Sequence, residues 1–108
     1  MNVYEIALPD CANNTGVGEA GSYYGQREQW VDMALSRAGG VTQMGTRHGL
    51  WRDPETKQVY DETMHWHSVA CSPDVMGQLM QDAFRLFPDQ KAIFLAKVGT
   101  AEIVERPT

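Results

Sequence analysis

A carboxylate set among aromatic and sulfur side chains is the sharpest chemical feature of this sequence. Glu62 follows Tyr60 by two positions and precedes Met64 by two and Trp66 by four. On an extended strand these four side chains share one face. A carboxylate flanked in this way is partly stripped of water, which suits it to hold a cation or move a proton. The plain alternative is a rim residue whose charge stays in solvent. Trp51 stands 11 positions before Glu62, and a polar turn between them brings the two strands back together. An indole beside a carboxylate is the pairing a sulfonium or ammonium ligand requires. A tryptophan in a sheet also serves simply as packing.

His65 and His67 form a second constellation. Two histidines one residue apart on a strand project to the same side, a known way to present two metal ligands. His48, Asp61 or Cys71 would have to supply a third. Asp61, His65, His67 and Cys71 share a strand face, but Cys71 lies about 13 Å beyond His67 by strand rise. One compact site from that strand alone is not expected, and surface or interface histidines are the simpler reading. Cys11 and Cys71 lack a Cys-His-Asn arrangement, and no Gly-x-Ser-x-Gly or Cys-x-x-Cys element occurs. Neither thiol is expected to be a nucleophile.

The bulk numbers narrow the classes. At 108 residues the chain is expected to form one domain, residues 1–108. Its 43% apolar and 21% charged content is that of a soluble globular protein. Nine basic residues against fourteen acidic ones leave a net charge of -5, which argues against a nucleic-acid surface. No apolar run approaches the roughly 20 residues of a membrane span, and no secretory signal is expected at the N-terminus. Two cysteines in such a chain read as reduced thiols in the cytoplasm.

The elements that must position these residues can be read from spacing. Val3 to Leu8 alternates as a strand and Pro9 ends it. Asp10 to Gly25 is a long Gly/Asn-rich connection that could serve as a lid. Its Gly16 and Gly18 are not read as a phosphate loop, because no Gly-Lys-Ser/Thr follows. Gln26 to Ala38 reads as a helix with Trp30, Val31, Ala34, Leu35 and Ala38 as its stripe, and Gly39 as its C-cap. A long hairpin follows, turning at Asp53-Pro54-Glu55-Thr56-Lys57. Ser72-Pro73-Asp74 opens a second helix, with Met76, Leu79, Met80, Ala83 and Phe87 inward. Lys91 to Val98 is the last strand, and Glu102 to Glu105 a short tail strand.

The order β-α-β-β-α-β predicts an α+β, ferredoxin-like sandwich: a four-stranded antiparallel sheet with two helices on one face. In the last strand Ile93 and Leu95 point one way, and Ala92, Phe94, Ala96 and Val98 the other. Helices can cover only one of these faces. A second copy of the chain is the cheapest cover for the other. A homo-oligomer is therefore expected, a trimer or a dimer by analogy with ferredoxin-like chains of this length.

From Leu35 to Val104 the sequence resembles the small phage enzymes that degrade S-adenosylmethionine. The landmarks are Leu35-Ser36-Arg37-Ala38-Gly39-Gly40, then Gly49-Leu50-Trp51-Arg52-Asp53-Pro54, the pair Asp61-Glu62, Val69-Ala70-Cys71, and Gln90 before the last apolar strand. The same skeleton looks like an uncharacterised bacterial family of small ferredoxin-like proteins with a Gly-x-Trp-Arg hairpin. The first resemblance implies a trimeric, metal-independent, cofactor-free lyase with sites between subunits. The substrate's own carboxylate would displace 5′-methylthioadenosine and leave homoserine lactone. Such an enzyme has to hold its substrate folded and dry. Glu62 and Tyr60 would be catalytic; Trp51, Trp66, Met64 and Gln90 would bind S-adenosylmethionine. A phage anti-restriction role would follow. One departure stands out, since those enzymes carry tyrosine where this chain has Trp51. The alternative is a non-enzymatic module of the same fold that binds a nucleotide-like ligand or a host protein.

Overall fold

The computed structural model describes residues 1–12 and 21–107. The elements run β1 (Asn2–Pro9), α1 (Tyr24–Ala38), β2 (Thr42–Arg52), β3 (Val59–Cys71), α2 (Pro73–Leu86) and β4 (Leu95–Thr100). Their sheet order is β2-β3-β1-β4, and every pairing is antiparallel. This is the expected α+β, ferredoxin-like sandwich. The Gly16 and Gly18 pair and most of the lid expectation lie outside the described residues.

Local chemistry explains the helix boundaries. Gly39 holds φ at 85°, and its N–H donates to Leu35 O at 3.0 Å. That left-handed C-cap suits glycine. Ser72 accepts at Oγ from the Val75 N–H at 3.2 Å, and Pro73 takes the first helical position. Helix α1 buries a narrower stripe than the spacing predicts, whereas α2 buries the expected Met76, Leu79, Ala83 and Phe87 and leaves only Met80 partly exposed. In α1 the buried residues are Arg27, Trp30 and Ala34, while Leu35 is exposed. In α2 they are Met76, Leu79, Asp82, Ala83 and Leu86. The apolar ones among these form the core with Tyr4, Ile6, Leu8, Tyr23, Val69, Cys71 and Phe87.

Trp30 is fully buried, and its indole N–H donates to Leu79 O at 3.0 Å. One side chain thus ties α1 to α2. Tyr23 packs edge-on to Phe87 at 4.9 Å between ring centroids and donates its hydroxyl to the Asp89 carboxylate. Burial first, and that bond second, push the Tyr23 phenol up to about 12. A raised folded-state value stabilises the fold below the unfolded phenol's value near 10 and loses that stability above it. Melting temperature is expected to fall between pH 10 and about 12, and Tyr23→Phe is expected to flatten that fall.

The last strand starts later than its apolar pattern predicts. Lys91 to Phe94 leads in as coil, and β4 runs from Leu95 to Thr100. No strand forms at Glu102 to Glu105. Ile103 and Val104 there are the most exposed large apolar residues described. The cause is an absent neighbour: β4 is an edge strand, and the tail has no ladder to join within one chain.

β2 and β3 extend well past β1. Pairing of β1 with β3 ends at Pro9–Met64, whereas β2 and β3 continue to Arg52–Val59. Residues 48–63 therefore form a two-stranded arm beyond the four-stranded body. The radius of gyration is 15.6 Å, against about 13 Å for a compact chain of this length. Asp53 closes the arm's tip by accepting at Oδ1 from the Glu55 N–H at 2.8 Å and the Thr56 N–H at 3.2 Å.

Candidate functional site

Strand parity sets which side chains meet. His67, Val69 and Cys71 of β3 are buried toward the helices. The intervening residues Tyr60, Glu62, Met64 and Trp66 take the opposite, open face. Across the strands Trp51 pairs with Tyr60, Gly49 with Glu62, Arg47 with Met64, and Ala7 with Trp66. The four residues singled out by spacing therefore line one row, with Trp51 beside them. Trp51 and Tyr60 stack on each other at 4.6 Å between centroids. Trp66 lies between the Arg47 guanidinium, 4.9 Å from its ring, and Phe94, 5.2 Å away. Its indole N–H is buried with no partner among the described residues. Gln90 stands apart from the arm in chain order, in the turn after α2, where its N–H donates to Phe87 O at 3.1 Å.

The helix-facing side holds a denser polar arrangement. Arg27 on α1 is buried, and its Nη1 donates to Pro9 O at 2.9 Å and to Asp10 O at 2.7 Å. Asp10 Oδ1 contacts His65 Nε2 at 2.7 Å. The hydrogen bond to His65 is the main reason the Asp10 carboxyl sits below its usual range, with Arg27 adding to it. His67 Nδ1 lies 3.1 Å from His65 O. A carbonyl only accepts, so this nitrogen carries the proton. Burial pushes the His67 imidazole down, favouring its neutral form. Its ring meets Trp30 edge-on at 5.5 Å. The surface or interface placement expected for His67 is thereby corrected: it is a core residue at 3% exposure. Alternation alone misses this, because which face of β3 the helices cover is decided by packing.

A β-bulge in β2 opens this region. Gln43 pairs with His67 and Thr46 with His65, leaving Met44 and Gly45 opposite Trp66 alone. Gly45 has φ 81°, the left-handed conformation that a glycine bulge needs. An open cleft of ≈ 300 Å³ lies there between α1 and the bulge, lined by Arg27, Glu28, Gln43, Gly45, His65 and His67 among others. The only sequence signal for it was Gly45 inside an otherwise extended run. Space is free around a Cβ at Gly45, so Gly45→Ala bears the backbone cost alone. It is expected to destabilise by about 1 kcal/mol in urea unfolding.

Among the described residues no set of three His, Cys, Asp or Glu donors stands together. Cys71 is buried and Cys11 exposed, both as free thiols. His48 Nδ1 and Asp61 Oδ1 pair at 3.2 Å on the arm, in full solvent. Among the described residues no helix is long and apolar enough to cross a membrane.

No protein-family model matches the chain, and no curated protein does. Solved structures do. The divalent cation tolerance protein Cut A1 of Thermus thermophilus superposes with a TM-score of 0.67 at 12% identity, covering 95% of this chain and 86% of that one. CutA1 of Pyrococcus horikoshii gives 0.62 at 11% identity over 97% and 88%. CutA1 of Ehrlichia chaffeensis gives 0.60 at 10% over 94% and 83%. Likeness at this identity establishes the fold.

These matches correct the activity implied by the phage-enzyme resemblance. The S-adenosylmethionine lyase, the enzyme assignment and the phage anti-restriction role are overturned. The solved chains named above, which this chain matches over more than nine-tenths of its length, include proteins described as divalent cation or divalent ion tolerance proteins. The physical reason is that the landmarks mark elements of the fold: the end of α1, the β2–β3 hairpin, the end of β3 and the approach to β4. Gly-Leu-Trp-Arg and the acidic pair specify an arm and its turn, and one skeleton serves many functions.

Proposed function

We propose that this chain is a non-enzymatic, homo-oligomeric module of ferredoxin-like fold that works in divalent cation handling. Assembly carries the reading. Phe94 and Val98 each leave 52% of their surface exposed, and Leu50 and Trp51 stand out on the arm. One copy of the chain cannot bury that surface, and a second can. The open-face row of Tyr60, Glu62, Met64 and Trp66, with Trp51, becomes subunit interface rather than a catalytic centre. Gln90 lies outside that row. The cation role rests on fold analogy to proteins named for divalent cation tolerance. The whole chain acts as one domain, and a trimer is the favoured assembly. Two free thiols suit the reducing cytoplasm.

Light scattering coupled to size exclusion tests the assembly. A mass of three chains is expected for the natural sequence, and a mass of one for Phe94→Asp with unchanged circular dichroism. A single-chain mass for the natural sequence at high protein concentration would overturn the reading.

A further inference from the structure

We infer that His65 and His67 form an exchangeable two-imidazole site for a borderline divalent cation such as Zn²⁺, open to the cleft between α1 and the β2 bulge. This rests on the cation-handling reading and gives it an address. Each ring already has one nitrogen committed to an acceptor. His65 Nε2 faces Asp10 Oδ1 at 2.7 Å, and His67 Nδ1 faces the His65 carbonyl at 3.1 Å. Carboxylate and carbonyl acceptors fix the tautomers. They leave His65 Nδ1 and His67 Nε2 with free lone pairs. That outer arrangement is the one that orients histidines around a metal.

The framework holds both rings in place. Both line the same cleft, and both belong to the helix-facing side of β3. Their Cβ atoms stand about 6.6 Å apart by strand rise, a spacing two ligands to one ion can span. His67 is braced by Trp30. Asp10 is braced by Arg27, whose Nη2 lies 3.9 Å from its carboxylate. Gly45 of the bulge lines the same cleft. Since no third donor of the described residues completes the set, two coordination positions remain for water or another ligand. A site with two protein ligands exchanges its ion, unlike a closed four-ligand structural site. Glu28, Gln43 and the Arg27 guanidinium also line the cleft, and the positive charge of Arg27 opposes a second positive charge at His67, which keeps any bound ion weakly held.

Equilibrium dialysis of the metal-free protein against Zn²⁺ alone is the test. One ion per chain is expected. His65→Gln is expected to abolish that ion, and Asp10→Asn to weaken it by about 10–100-fold. His48→Gln, which alters the exposed arm pair, should leave it unchanged. Long-range ¹H–¹⁵N spectra should report zinc on His65 Nδ1 and His67 Nε2. Because His67 is buried, His67→Gln is read only if its thermal melt stays cooperative; Asp10→Asn and the spectra decide otherwise. Binding that survives His65→Gln would overturn this site and leave the cation-handling reading standing. No binding at all would overturn both.

Discussion

Trp30→Ala is expected to cost about 3–5 kcal/mol and to leave little of the fold's margin, since such chains hold only about 5–15 kcal/mol in total. Three losses coincide. The indole is fully buried, so its removal leaves a cavity that the sheet and two helices cannot collapse to fill. Its N–H bond to Leu79 O disappears, and with it a direct tie between α1 and α2. His67 loses the ring against which it packs edge-on. The melting temperature should fall by about 20 °C, read by circular dichroism. Trp30→Phe restores most of the volume but not the hydrogen bond, and should recover more than half of the loss. A drop below about 1.5 kcal/mol for the alanine variant, the range of a tolerated apolar swap, would show that the helix pair is held elsewhere.

The second large effect is expected at Arg27. Its guanidinium is buried and satisfies the carbonyls of Pro9 and Asp10 while facing the Asp10 carboxylate. Arg27→Met keeps the apolar stem and removes the charge. Pro9 O then loses this donor and Asp10 O keeps only the Tyr23 N–H at 3.0 Å, at a cost of about 2 kcal/mol. Asp10 loses its nearby cation and is expected to hold His65 less rigidly. Stability in urea and Zn²⁺ affinity should therefore fall together in this variant, whereas Gly45→Ala lowers stability through the backbone alone. Unchanged urea stability for Arg27→Met would mean that water replaces the guanidinium without cost, and that the cluster is a surface feature.

The arm and the open face connect these effects to assembly. Leu50, Trp51, Phe94 and Val98 are exposed, and the tail at Ile103 and Val104 has no partner strand in one chain. An edge strand left in this state is a template for another chain. Oligomerisation adds stability by mass action, so the Trp30 and Arg27 variants should recover part of their loss as protein concentration rises.

Much of this was legible in the sequence because it depends on neighbours along the chain. Period-two alternation in β1 and β3, the Ser72-Pro73-Asp74 helix start and the Gly39 cap are local signals, and each element formed where they stand. Alternation also placed Tyr60, Glu62, Met64 and Trp66 on one face. Their chemistry was not legible, because hairpin landmarks shared with lyases encode the arm and not a reaction. Packing decided the rest. Helix cover on one face of β3 turned His67 from a surface residue into a core one. The bulge at Gly45 opened a cleft beside it, and Arg27 from α1 joined Asp10 from the end of β1. Tyr23 and Asp89 met across 66 positions of chain. No spacing rule encodes such meetings. They arise only when the whole sheet and both helices have closed on one core.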